Sequence, residues 1–310
     1  MFWVRMVVAV VTVAGLGWAA KDAVRQLTAS PPVWSQVNWF GLAMCVLIVG
    51  LSQLLAGFFW HRVLAGFGYV VPLARSLMAF SCSQFGKYVP GKALVVLVRT
   101  GMIARAGVPV PIGVASVFVE TLLWVSVGAT VGSVALAVAD IGFVWLNNLA
   151  VGMAVVFGIL TTPFVFGKIT ERIFAKLGVE AAARATRPSW RTWSIGSLLL
   201  TAGWLLAGWA MLIVVDSVGP QASEWRHFAI CLAAASLATV VGFVTLIPGG
   251  LGVRELVILP VLSTAFPPAQ ALVAAIIFRL ISMSAELLMV SIVSAISYTS
   301  RLKQGWEQAP

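Results

Sequence analysis

The chain has 310 residues, 61% of them hydrophobic and only 10% charged, with a formal net charge of +10. Water-soluble chains carry about 45–50% apolar and about 25% charged residues, so a soluble domain, a disordered tail and a disulfide scaffold are all excluded. With a mean hydropathy of +1.02, the sequence is that of an all-α polytopic membrane protein, residues 1–310 forming one transmembrane domain.

A hydrocarbon core about 30 Å thick needs roughly 20 apolar residues of helix. Runs of that size cover residues 2–20, 38–60, 111–139, 142–166, 193–215, 228–247 and 269–298. The first is read as an uncleaved helix, because Arg5 makes a weak positive leader and the apolar run is long. Two further apolar stretches are too short or too broken to span simply. Residues 73–106 are interrupted by Lys87-Tyr88-Val89-Pro90-Gly91-Lys92. Residues 251–265 are entered through Pro248-Gly249-Gly250 and followed by Pro267-Pro268. Broken helices at membrane depth are tolerated only where protein or a water-filled cavity surrounds them.

The basic residues sit mostly in short connections between the apolar runs, as they do when they orient a membrane protein and meet anionic lipid heads. The pattern argues against a nucleic-acid partner. The connection 167–191 carries Lys168, Arg172, Lys176, Arg184, Arg187 and Arg191 and is expected to be cytoplasmic. The base-free connection around Asp140, and the one holding Asp216 and Glu224, are expected outside. Arg62, Arg75 and Arg105 flank the first broken stretch, which is expected to leave and re-enter on the cytoplasmic side. The expected layout is therefore about six full transmembrane helices plus two re-entrant broken-helix hairpins of opposite polarity, with both termini cytoplasmic.

The broken regions resemble each other. Pro90-Gly91-Lys92 leads, through a short apolar segment, to Val114-Ala115-Ser116-Val117-Phe118-Val119-Glu120. Pro248-Gly249-Gly250 leads to Val273-Ala274-Ala275-Ile276-Ile277-Phe278-Arg279 at almost the same separation. Together with their opposite polarity this gives an inverted repeat, repeat one at about 38–139 and repeat two at about 193–298. Paired, interrupted segments of this kind point to a transporter's midplane site.

An ionisable group at the bilayer centre costs about 2.5–3.5 kcal/mol on insertion scales. The candidates for that depth are Lys87, Lys92, Arg99, Glu120, Arg254, Glu255, Arg279 and Glu286. Glu120 and Arg279 hold equivalent positions, so they are expected to pair across the repeats, as a structural pin or as part of the mechanism. Arg279 and Glu286 share a helix face with Ser282 between them. A helix that starts after Pro-Gly presents unsatisfied N–H groups and a partial positive charge, the outline of an anion site. Lys87, Lys92 and Arg99 add charge at the first break and Arg254 at the second; a phosphate head group is the natural guest. The competing reading has Lys87 and Lys92 snorkelling to the cytoplasmic surface.

Cys45, Cys82 and Cys231 are far apart, without metal or redox spacing. His61 and His227 stand alone. No Walker loop and no His-Glu-x-x-His occurs, and the three aspartates lie outside the apolar runs. No catalytic residue, metal or cofactor is expected.

Gly86-Lys87-Tyr88-Val89-Pro90-Gly91-Lys92, Arg99, Arg105-Ala106-Gly107 and Ser116 to Glu120 resemble the first signature of the lysylphosphatidylglycerol synthase transmembrane-region family. Pro248-Gly249-Gly250-Leu251-Gly252-Val253-Arg254-Glu255 and Phe278-Arg279-Leu280 resemble its second. The first departs from the commonest pattern, with Ala93-Leu94-Val95 where an acid usually follows. The resemblance implies a stand-alone, flippase-like protein of the cell inner (plasma) membrane, related to the part of the multiple peptide resistance factor that moves aminoacylated phosphatidylglycerol.

The expected substrate is an anionic phospholipid or polyprenyl-phosphate-linked lipid. The expected binding residues are Lys87, Tyr88, Pro90, Gly91, Lys92 and Arg99 at the first break, and Pro248, Gly249, Gly250, Gly252, Arg254 and Glu255 at the second. Glu120, Arg279 and Glu286 form the intramembrane charge set. A homo-oligomer or an envelope-biosynthesis partner is left open. The alternatives are a non-translocating component or enzyme of a membrane glycosyltransferase or cell-envelope lipid pathway, with Glu120 and Glu255 as its only plausible carboxylates, and a scaffold for an envelope complex.

Overall fold

A computed structural model describes residue 25, residues 37–88, 93–140, 144–176, 190–219 and 224–245, residue 250 and residues 252–307. The described elements are all helical. They are α1 (Trp39–Gly66), α2 (Leu73–Gln84), a 3-10 turn (Phe85–Tyr88), α3 (Ala93–Ala104), α4 (Val110–Ala139), α5 (Val144–Thr161), α6 (Pro163–Lys176), α7 (Trp190–Ser217), α8 (Trp225–Val244), α9 (Val253–Leu262) and α10 (Pro268–Glu307).

Five of these are long and apolar enough to cross a membrane: α1, α4, α7, α8 and the Pro268–Ile296 part of α10. The apolar run 2–20 and the basic segment 177–189 lie outside the described residues. The expected crossing at 142–166 falls on two helices, divided at Thr162 into α5 and α6; its apolar part, Asn148–Leu160, is one of the shorter apolar helices. The cause is Pro163, which disfavours helical backbone in the residue before it.

The two broken stretches do break. At 12 and 10 residues, α3 and α9 rise about 18 and about 15 Å at roughly 1.5 Å per residue, well short of a bilayer core. Ahead of α3, the chain tightens from α2 into the 3-10 turn. Gly86 is required there: a Cβ at this position would lie 2.5 Å from the Val95 backbone nitrogen, so only glycine lets the turn press against the start of α3.

Close helix contacts made through small residues set the packing. α1 and α7 run antiparallel along their whole length. Asn38 N–H donates to Ser217 O at 3.4 Å and Cys45 Sγ to Ala210 O at 3.4 Å, while Gly203 faces Ser52 and Gly196 faces Phe59. At the far end of α4, Arg226 from the first turn of α8 donates to the carbonyls of Ala139 at 2.9 Å and Asp140 at 3.3 Å. A base there satisfies orphan carbonyls at the negative helix end. Gln270, in the first turn of α10, donates to Val215 O of α7 at 2.9 Å. The starts of α1, α8 and α10 therefore lie at the same end of the bundle as the finishes of α4 and α7. The α2–α3 hairpin leaves and returns at the opposite end, while α8–α9 leaves and returns at this one.

Two cores result. Cys45, Met211, Ile230 and Leu262 belong to one; Trp60, Phe80, Leu123 and Trp204 belong to the other. Residues of both, among them Val49, Phe80, Trp204 and Phe278, line a cavity of about 640 Å³.

Candidate functional site: a charged cavity between the two hairpins

The cavity walls are mostly apolar, but among the described residues five charged side chains reach them: Lys87, Arg99, Glu120, Arg254 and Glu286. Their chain positions span both broken regions. A volume of this size is within the range of about 300–1,000 Å³ usual for ligand sites.

Arg99 comes from α3 and is 2% exposed. Its Nη1 donates to Glu120 Oε2 of α4 at 2.7 Å and its Nε to Ser83 Oγ of α2 at 3.0 Å. The guanidinium lies over the Phe80 ring at 4.5 Å and the Trp60 ring at 5.0 Å. Thr121 Oγ1 also donates to Glu120 Oε2, at 3.3 Å. Removing two charges from water is tolerable here because hydrogen bonds and aromatic faces surround them.

Lys87, delivered by the 3-10 turn, donates to Glu286 Oε1 of α10, and Tyr88 Oη donates to Glu286 Oε2 at 3.1 Å. Both oxygens of this carboxylate are thus engaged, and its side chain is 1% exposed. Lys87 does not snorkel outward; it reaches inward, to the second half of the chain.

Next to these pairs, α9 starts at Gly252, which has φ 78°. Its first turn carries Arg254 and Glu255. Arg279 Nη1 donates to Glu255 Oε1 at 2.7 Å, and neither residue lines the cavity. Arg254 does line it, and its Nε is buried with no hydrogen-bond partner among the described residues. Gly242 of α8 and Gly250 lie against the Arg254 stem.

The expected Glu120–Arg279 pair is corrected. Glu120 is paired with Arg99, and Arg279 with Glu255. The short loop from α3 to α4 folds Arg99 onto the neighbouring helix, so each half of the chain neutralises its own charge. The cross-half bond is Lys87–Glu286 instead. Among the expected binding residues, Lys87, Arg99 and Arg254 share the cavity, Tyr88 joins them through Glu286, and Glu255 stands outside it. Gly250 packs against Arg254, and Gly252 caps the start of α9. Pro90, Gly91, Lys92, Pro248 and Gly249 lie outside the described residues. Sequence reasoning missed Ser83, Trp60 and Phe80 around Arg99, and Gly242 against Arg254. It also missed the tilted pair Trp124 and Trp204, with ring centroids 4.8 Å apart in the cavity wall. Gly242, set between bulky residues in an apolar run, was the one available signal.

The family model described as the lysylphosphatidylglycerol synthase TM region matches residues 5–289. The chain belongs to that family. The match takes in every charged residue of the cavity and both broken stretches. No curated protein matches the chain. Membership in the lysylphosphatidylglycerol synthase transmembrane-region family, with five apolar helices of spanning length among the described residues, makes this a multi-pass membrane protein with a membrane lipid-related function.

Proposed function

We propose that the chain is a lipid flippase, moving an anionic or phosphate-linked lipid between leaflets of the cell inner membrane. The head group would pass through the charged cavity while the tails stay in the bilayer. The observation that carries this reading is the cavity itself, set in apolar walls, where Lys87, Arg99 and Arg254 from short helical stretches that cannot span meet Glu120 and Glu286 of the long helices α4 and α10. Leu97 of α3 and Phe118 of α4 line it and are 65% and 39% exposed, so the cavity wall has an outward-facing apolar part on which a lipid tail can lie.

The antiparallel course of α1 and α7, and of α4 and α10, supports an inverted repeat, residues 38–139 against 193–298, with the two hairpins re-entrant from opposite faces. Alternating access by rocking one repeat against the other fits that arrangement. With both termini cytoplasmic, the α2–α3 hairpin faces the cytoplasm and the α8–α9 hairpin the outside.

An enzyme of lipid glycosylation would need a free carboxylate in the cavity as acid or base. Glu286 has both oxygens engaged and Glu120 is held by Arg99, which favours translocation. Reconstitution into vesicles carrying a labelled phosphatidylglycerol, read with a membrane-impermeant quencher, tests the reading. Loss of the protected inner-leaflet signal faster than in protein-free vesicles supports it; transfer of sugar without lipid movement favours the enzyme.

A further inference from the structure

We propose that the cavity selects a lipid phosphate that carries no ammonium group, and that Arg254 is the residue on which this phosphate docks. The inference deepens the flippase reading and rests on it for turnover, although binding can be measured without it.

The first argument is the charge balance of the wall. Lys87 is neutralised by Glu286 and Arg99 by Glu120. Arg254 has no carboxylate within ion-pairing distance among the described residues, and its Nε is buried with no hydrogen-bond partner. The described wall therefore carries one cation without a direct ion-pair partner, acted on by Glu286 and Glu255 only at longer range, with its Nε held where water does not reach it. An unpaired guanidinium in such a place is costly unless an anion joins it. Phosphate is the fitting anion, since the planar guanidinium offers paired donors that match two phosphate oxygens.

The second argument is how Arg254 is held. A Cβ at position 242 would lie 2.8 Å from Arg254 Cγ, and one at position 250 would lie 2.9 Å from its Nε. Gly250 is at φ 66°, a conformation side-chain-bearing residues rarely adopt. Two glycines thus form a slot for the arginine stem and keep the head group in the cavity. Structural packing alone would be served by a shorter, uncharged side chain here.

The third argument concerns what the wall lacks. An ammonium on the lipid would need an open carboxylate. Glu286 is engaged by Lys87 and Tyr88, and Glu120 by Arg99 and Thr121. The Glu255 Oε2 atom has no hydrogen-bond partner among the described residues, but Glu255 is not part of the wall. An aminoacylated or zwitterionic lipid would therefore place its positive charge beside Lys87, Arg99 and Arg254, with no free acid among the described wall residues to receive it. Phosphatidylglycerol and polyprenyl phosphates share the required chemistry.

The test is a titration of purified full-length protein in mild detergent, read through tryptophan fluorescence, since Trp124 and Trp204 line the cavity. The probes are phosphatidylglycerol, a polyprenyl phosphate, phosphatidylethanolamine and lysylphosphatidylglycerol. The wild type is expected to bind at least one of the first two about tenfold or more tighter than either amine-bearing lipid, the scale of one charge-assisted contact. Which of the first two binds tighter identifies the source of the phosphate. Arg254→Gln should abolish the preference at unchanged thermal stability, and Arg254→Lys should retain it in part. Gly242→Ala, which displaces the arginine without removing it, should also weaken the anionic lipids selectively. Equal or tighter binding of lysylphosphatidylglycerol, or an intact preference in Arg254→Gln, overturns the proposal. Vesicles in which lipid moves regardless of head-group charge overturn it too, while leaving the flippase reading standing. Selective binding with no lipid movement upholds Arg254 and removes the flippase.

Discussion

Lys87 and Glu286, 199 residues apart, meet directly and tie the first broken helix to the last long helix of the chain. Glu286 is almost fully buried, whereas Lys87 keeps 22% of its side chain exposed. The bond is therefore asymmetric: losing the lysine strands a buried carboxylate, and losing the glutamate leaves a cation that can still reach the cavity.

Lys87→Met should accordingly destabilise the protein in detergent more than Glu286→Gln does. Stranding a buried charge costs on the order of 3–5 kcal/mol, and the double variant should recover a good part of the loss. Thermal unfolding of the four proteins in a double-mutant cycle measures the coupling. Strictly additive losses would mean that the two residues do not interact in solution.

A second cycle decides between the pairing expected from sequence and the pairing in the structure. Arg99 and Glu120 should couple strongly, because both are buried and bonded at 2.7 Å. Glu120 and Arg279 should be additive within about 0.5 kcal/mol, the behaviour of sites with no shared partner. Strong coupling between Glu120 and Arg279 would restore the cross-repeat pair.

These two cycles mark how far the sequence could be read. The long helices were legible because a run of roughly 20 apolar residues has few soluble explanations. The breaks were legible because Pro-Gly interrupts helical hydrogen bonding in a way that neighbouring apolar residues cannot hide. The partner of Glu120 was not legible. Repeat symmetry pointed to Arg279, but partner choice is settled by which helix packs nearest, and the short α3–α4 loop brings Arg99 there first. The division of the run 142–166 at Thr162 was hidden for a related reason: its average hydropathy concealed the local effect of Pro163. The inward turn of Lys87 was equally hidden, since a lysine beside a hairpin tip looks the same whether it snorkels or pairs.

Glycine substitutions should separate the tight turn from open helix surface. Gly86→Ala forces a Cβ against the α3 backbone, and overpacking of that kind costs about 1–3 kcal/mol. Gly101→Ala, in α3 with nothing within 4 Å, should be neutral or stabilising by up to about 1 kcal/mol. Melting temperatures in detergent report both. Similar losses at the two positions would contradict the close approach of the turn to α3.

Sidedness can be tested with single cysteines in a background lacking Cys45, Cys82 and Cys231, all free thiols. Arg226 ties the finish of α4 to the start of α8, so cysteines at Asp140 and Glu224 should react with a membrane-impermeant reagent from one face. A cysteine at Gly68, between α1 and α2, should react from the other. Labelling of all three from a single face would break the antiparallel arrangement on which the repeat argument stands.

Leaflet exchange in vesicles tests most directly whether this cavity carries lipid. The measurement compares wild type with Arg254→Gln, both reconstituted at matched density with labelled phosphatidylglycerol. The cavity account predicts exchange well above protein-free vesicles for the wild type and about a tenfold or greater loss for Arg254→Gln, on the scale of one charge-assisted contact. Wild-type exchange no faster than in protein-free vesicles, from protein that unfolds cooperatively and is therefore intact, would contradict it.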